Sequence, residues 1–266
     1  MPLGIGSILN DTFSYFFKKA LKAIGFSIIF NILIMIVFVV GLGASFLPLL
    51  MGDQSTLDPA TFFGTGFILS FIVIGLIATV IYAVLNAFLI QLAYDTRIGA
   101  PTEIGRYFST AFRNIVPIIV NMIAVVAVLM VSSIPVVMFF LIHPLFGLIA
   151  GLPILSWVVA CVSMVIPAIL YDNAGFGAIA RSFRLTEDYR WPMVGVSILF
   201  FIIIIIASII IGIPTSFLGN GVAGIVQMIL NATTGGLMAF FTAMIFARLK
   251  EIKDGVTPHD MVEIFR

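Results

Sequence analysis

The chain has 266 residues with a formal net charge of +1, 62% of them hydrophobic and 9% charged, against about 25% charged in an ordinary soluble domain. No water-exposed fold needs that much apolar surface, so the composition excludes a soluble protein and points to a polytopic membrane one. The lone cysteine, Cys161, excludes an intramolecular disulfide and reads as a small buried hydrophobe.

Six runs are each long enough to cross a bilayer core of about 30 Å as helix, at about 24–50, 62–92, 115–142, 145–170, 193–217 and 221–247. They are helices and not barrel strands. A barrel strand alternates apolar and polar residues, whereas "FIIIIIASIIIGI" (201–213) is apolar on every side. The opening "ILNDTFSYFFKKALKAIGFSI" sets Ile8, Leu9, Thr12, Phe13 and Phe16 on one helical face against Asp11, Ser14 and Lys18. The first span follows these residues without a convincing small-residue cleavage site, so it is expected to stay attached.

Span two ends "LAYDTRIGAPTEIGRYFSTAFRNIVPIIV" and span four ends "AILYDNAGFGAIARSFRLTEDYRWPMVGV". In both, Tyr-Asp closes the span (Tyr94-Asp95 and Tyr171-Asp172), a glycine-containing turn follows, and a short segment with arginine, aromatic and serine leads to the next span. Ile104, Tyr107, Phe108, Ala111 and Phe112 share a face, as do Phe176, Ile179, Ala180 and Phe183, with the arginines displaced from them. The tail residues Thr257-Pro258-His259-Asp260 read as a capping box ahead of a last such helix. The predicted architecture is a single six-helix transmembrane domain over 1–266. It comprises three tandem parallel hairpin units, each preceded by a cytoplasmic interfacial amphipathic helix.

All 13 lysines and arginines lie in the N-terminal segment, the two Tyr-Asp loops and the tail, while the intervening loops carry none. The positive-inside rule then puts both termini and both basic loops in the cytoplasm of a bacterial inner-membrane protein.

The segment "YDNAGFGAIARSFRLTEDYRWPMVG" resembles a bacterial family of six-helix membrane proteins related to the membrane domain of glycerophosphoryl diester phosphodiesterases. Asp172, Gly175, Ala178, Arg181, Ser182, Leu185, Thr186, Arg190 and Trp191 carry the resemblance. It departs from the pattern at Glu187-Asp188-Tyr189, where a basic residue and glycine are usual. The resemblance implies fold and topology. The soluble catalytic barrel of such phosphodiesterases has no counterpart in this sequence, so hydrolysis is not implied.

His143 and His259 fall on opposite sides of the predicted membrane, and no HExxH, GxSxG or paired-cysteine ligand set occurs. No catalytic residue, metal site or cofactor is expected, and no nucleic-acid partner. The spans carry no charge near their centres, which weighs against proton coupling. Asn31, Asn86, Gln91, Asn121, Gln227 and Asn231 are read as interhelical hydrogen-bonding residues.

Three readings of the basic segments stand side by side. Arg181, Arg184 and Arg190 are topological anchors, with Trp191 in the interfacial aromatic belt. Alternatively, Arg106, Arg113, Arg181, Arg184 and Arg190 surround one cytoplasmic pocket for lipid phosphate. In the third, Asp95 and Asp172, with Tyr94, Tyr171 and Asn173 at the turns, neutralise the arginines internally. The functional expectation is a non-catalytic accessory or scaffold component docking another membrane protein complex or organising its lipids, anionic phospholipid included. The alternative is a lipid or small-solute carrier with a cavity among the repeats.

Overall fold

The computed structural model describes residues 3–51, 65–215, 217 and 219–255; the predicted tail helix after Thr257 lies outside them. Every regular element among these residues is helical, and six helical stretches are long and apolar enough to cross a membrane. The chain is a multi-pass helical membrane protein.

In chain order the elements are α1 (Ile5–Met51), α2 (Thr65–Ile98), α3 (Ile104–Arg113), α4 (Ile115–Ile142), α5 (Leu152–Val162), α6 (Val165–Tyr171), α7 (Ala178–Thr186), α8 (Arg190–Thr215) and α9 (Asn220–Asp254). The fourth crossing is composite: a proline-started turn Pro144–Phe146 and a wide π-turn Gly147–Gly151 lead into α5 and α6. A side chain at Gly147 would fall on the Phe140 ring and one at Gly151 on Val136. These two small residues, four apart, let the fourth crossing lie close against α4.

Several boundaries differ from those expected. The opening segment and span one are two helices that meet at a kink at Lys19, where the backbone leaves helical geometry (φ −127°, ψ 18°). Span two runs on to Ile98 and span six to Asp254, well past the apolar text, where Asp95, Arg97, Lys250 and Glu251 are paired with charges on other elements. Span five begins at Arg190 and its helix ends at Thr215.

Span four breaks at Ser163-Met164, because Pro167 four residues on has no N–H to give the Ser163 carbonyl and its ring would clash with that carbonyl in a continuous helix. Side chains repair the break. The Ser163 hydroxyl donates to the Ala160 carbonyl at 2.9 Å, and the Ser182 hydroxyl donates to the Cys161 carbonyl at 2.6 Å while accepting from the Met164 amide at 3.2 Å. Ser182 lies on α7, so this repair also fixes where α7 sits.

α1 packs on both α2 and α9, which also touch one another; α2 continues to α4, α4 to α5, α5 to α8 and α8 back to α9. The core is concentrated at the end where the short helices lie. Nearly every residue of 83–95 in α2 and 237–249 in α9 is buried there. Rings interlock through the core: Phe16 meets Phe240 edge-on at 5.4 Å, Phe88 meets Tyr107 edge-on at 5.0 Å, and Phe200 stacks on Phe241 at 4.3 Å. Toward the other end Val131, Leu141, Ile210, Ile213 and Ile225 are exposed, as side chains that face hydrocarbon must be.

Of the six polar span residues, Gln91 donates across to the Tyr107 carbonyl at 3.3 Å and Asn121 to the Gly175 carbonyl at 2.9 Å. Asn31 and Asn86 instead donate to carbonyls of their own helices, and Gln227 donates to Asn231 one turn on. Only the first two act between elements, and both tie a span to the short-helix end.

Gly236 sits where α9 crosses α1, and any Cβ there would press on the Phe16 ring. The variant Gly236→Leu is expected to lose about 1–3 kcal/mol by overpacking, read as an earlier unfolding midpoint in an SDS titration. An unchanged midpoint would contradict the packing described.

Candidate functional site

The ionisable side chains of the short-helix end form a set of internal pairs. Asp95, 5% exposed near the end of α2, accepts hydrogen bonds from the Arg106 guanidinium and from the Tyr107 hydroxyl, both on α3. Arg106 also lies 3.7 Å from Glu103 and over the Tyr107 ring. Tyr107 is fully buried, so this carboxylate is closed off from water.

Burial first, and then donation to Asp95, push the Tyr107 hydroxyl well above its ordinary range. Burial works against the Arg106 charge, but Asp95 beside it outweighs that and holds the guanidinium above its usual value. For Arg181 desolvation is likewise outweighed, by hydrogen bonds to Asp172 and Asp254.

Asp172, at the end of α6, takes Arg181 Nε at 2.7 Å and Lys250 Nζ at 2.6 Å. Arg181 reaches on to Asp254 with a second nitrogen. Glu251 accepts from Arg97 and, at 2.9 Å, from Arg248, while Lys253 pairs with Asp188 at 2.8 Å. The end of α9 thus sends a charged residue to α2, to α6, to α7 and to the turn after it.

Tyr94 and Tyr171 stack on one another at 4.3 Å, joining the two Tyr-Asp ends directly. Asn173 is exposed and takes a positive φ of 47°, the turn conformation that asparagine tolerates best among residues with a side chain. Trp191 is exposed at the start of α8.

The five arginines proposed from sequence as one pocket fall in separate environments. Arg106 is held by Asp95. Arg113 is exposed at the end of α3. Arg190 lies over the Trp157 ring at 4.8 Å and donates to the Phe183 carbonyl at 3.3 Å. Only Arg181 and Arg184 share a cavity, an open cleft of about 510 Å³ that Tyr171, Asp172, Gly177 and Lys250 also line. Asp95 holds Arg106 at the first Tyr-Asp end and Asp172 holds Arg181 at the second, which keeps these two arginines apart.

Sequence reasoning missed Lys250, Glu251 and Asp254. Their alternating charges in "RLKEIKD" (248–254) were the available signal. Among the described residues, no three histidine, cysteine, aspartate or glutamate side chains stand close enough to hold a metal ion. A second cavity, of about 290 Å³ and mainly apolar, lies between α5, α8 and α9, with Ser156, Ser197 and Thr242 among its walls.

Removing the Asp95 charge strands Arg106 and Tyr107 together, whereas removing one donor leaves the other in place. Asp95→Asn is expected to cost about 3 kcal/mol and Tyr107→Phe about 1 kcal/mol, measured by thermal unfolding in one detergent. Equal losses would refute the ranking. No family model, curated protein or solved structure matches this chain.

Proposed function

We propose that this protein is a non-catalytic component of the bacterial cytoplasmic membrane that works by assembly, as an accessory or scaffold subunit docking another membrane protein complex and organising lipid around it. The observation that carries this reading is the internal pairing of the ionisable groups. Asp95 with Arg106, and Asp172 with Arg181 and Lys250, use their charges to join helices, so these residues serve architecture. The spans meanwhile offer exposed apolar faces of the kind that partners or acyl chains cover.

In the same proposal the chain is three parallel hairpin units, each entered through an interfacial helix, with both termini cytoplasmic. Similar partners at the two Tyr-Asp ends support the repeat, and the exposed Ile104, Phe112 and Phe176 support helices whose apolar residues dip into the acyl boundary. The likeness to six-helix proteins related to the membrane domain of glycerophosphoryl diester phosphodiesterases belongs to this reading too. A carrier function is the second reading, favoured by the apolar cavity between α5, α8 and α9.

Extraction into native nanodiscs followed by mass spectrometry separates the two. The assembly reading expects a stoichiometric protein partner; a protein that stays alone and exchanges labelled lipid between vesicles would replace it with the carrier. Orientation is checked in spheroplasts with a membrane-impermeant maleimide, using the wild type as blank because Cys161 is buried. His143→Cys is expected to label and Asn173→Cys to stay unlabelled until the membrane is opened. The reverse pattern would invert the topology.

A further inference from the structure

The two Tyr-Asp ends use the same pair of residue types and end in different states. At the first, the second donor to the carboxylate is the Tyr107 hydroxyl, whose single proton is spent on Asp95 and whose ring is fully buried. At the second, the residue after the arginine is Ser182, turned away to the Cys161 carbonyl. The second donor there is Lys250, an ammonium with three protons, one of which goes to Asp172.

The second end is therefore open where the first is sealed. In its cleft Arg181, Arg184 and Lys250 face Asp172, and Asp254 engages Arg181 from the side. Three cations meet two carboxylates. The surplus sits on Arg184, which is exposed and makes no ion pair among the described residues. Asp172 fixes Nε of Arg181 and one proton of Lys250, which orients both side chains while leaving donors on each unused. Such a set of pre-oriented guanidinium and ammonium donors suits a tetrahedral oxyanion, because a guanidinium fork grips two phosphate oxygens and an ammonium takes a third.

We propose that the cleft between α6, α7 and the end of α9 is a binding site for a phosphate-bearing anionic group, held by Arg184 and Lys250 with Arg181 beside them. The site's position favours the headgroup of an anionic lipid as the source. Phe176, 66% exposed, and Trp191, 62% exposed, lie just before and just after α7, where aromatic side chains sit at the level of lipid headgroups. The site holds regardless of which protein the bundle docks.

The test uses the full chain, purified in detergent and titrated with phosphatidylglycerol or with phosphatidylcholine, adducts being counted by native mass spectrometry. Wild type is expected to retain phosphatidylglycerol selectively. Arg184→Gln is expected to weaken that retention about tenfold, the loss for one charged hydrogen-bonding partner, with an unchanged melting temperature, and Arg184→Lys to weaken it less. Arg113→Gln, which removes an equally exposed arginine outside the cleft, is expected to change nothing. Excess inorganic phosphate distinguishes the sources: adducts that resist it assign the cleft to lipid, and adducts displaced by it assign it to a soluble phosphate compound. Unaltered retention by Arg184→Gln, or an equal loss in Arg113→Gln, would overturn the site.

Discussion

Much of this structure depends on a carboxylate placed where an apolar helix ends. A charge taken out of water costs several kcal/mol unless another charge and further hydrogen bonds meet it at once. Asp95 and Asp172 are in that position, and each is met by an arginine of the following short helix, brought back against the span that carries the acid. The glycine-containing turn supplies the reversal and the arginine supplies the charge. From that pairing come the burial of Tyr107, the seating of Ser182 against the broken fourth crossing, and the stacking of Tyr94 on Tyr171.

Two packing regimes follow within one bundle. Hydrocarbon gives helices no hydrophobic reason to associate, so close packing appears where small residues, aromatic rings and internal hydrogen bonds reward it. That is the end where Phe16, Gly236 and Phe240 meet and where Gln91 and Asn121 reach carbonyls on other elements. Toward the far end the spans are rich in isoleucine and valine, which lipid tails solvate as well as a neighbouring helix would. Rigidity and charge are thus concentrated together, and the apolar circumference is left for whatever surrounds it.

The sequence was informative where physics is local and nearly silent where it is not. Uncharged runs announced the six crossings, and the recurrence of Tyr-Asp before arginine offered internal neutralisation as one of three readings. Helix ends were misplaced because hydropathy marks where apolar text stops. A helix stops where its backbone loses partners, and buried Asp95 and paired Glu251 carry α2 and α9 onward. The share of α9 in the charged network was not legible from spacing, since Lys250 and Asp172 lie 78 residues apart and only the folded chain brings them together. Pro167 is a local cause of the break in the fourth crossing, but nothing local foretold that Ser182 would mend it.

The difference between the two Tyr-Asp ends shows how similar segments can take different roles at small cost. A tyrosine beside the arginine spends its one proton on the acid and covers it with a ring, giving a joint. A serine in its place attends to backbone and leaves the acid to a lysine from a distant helix. That exchange keeps the carboxylate neutralised, as the apolar surroundings require, but it substitutes a multivalent donor for a monovalent one and removes the cover. The stability requirement is met in both cases, and in the second the remaining donors line an open cleft together with a further arginine, Arg184.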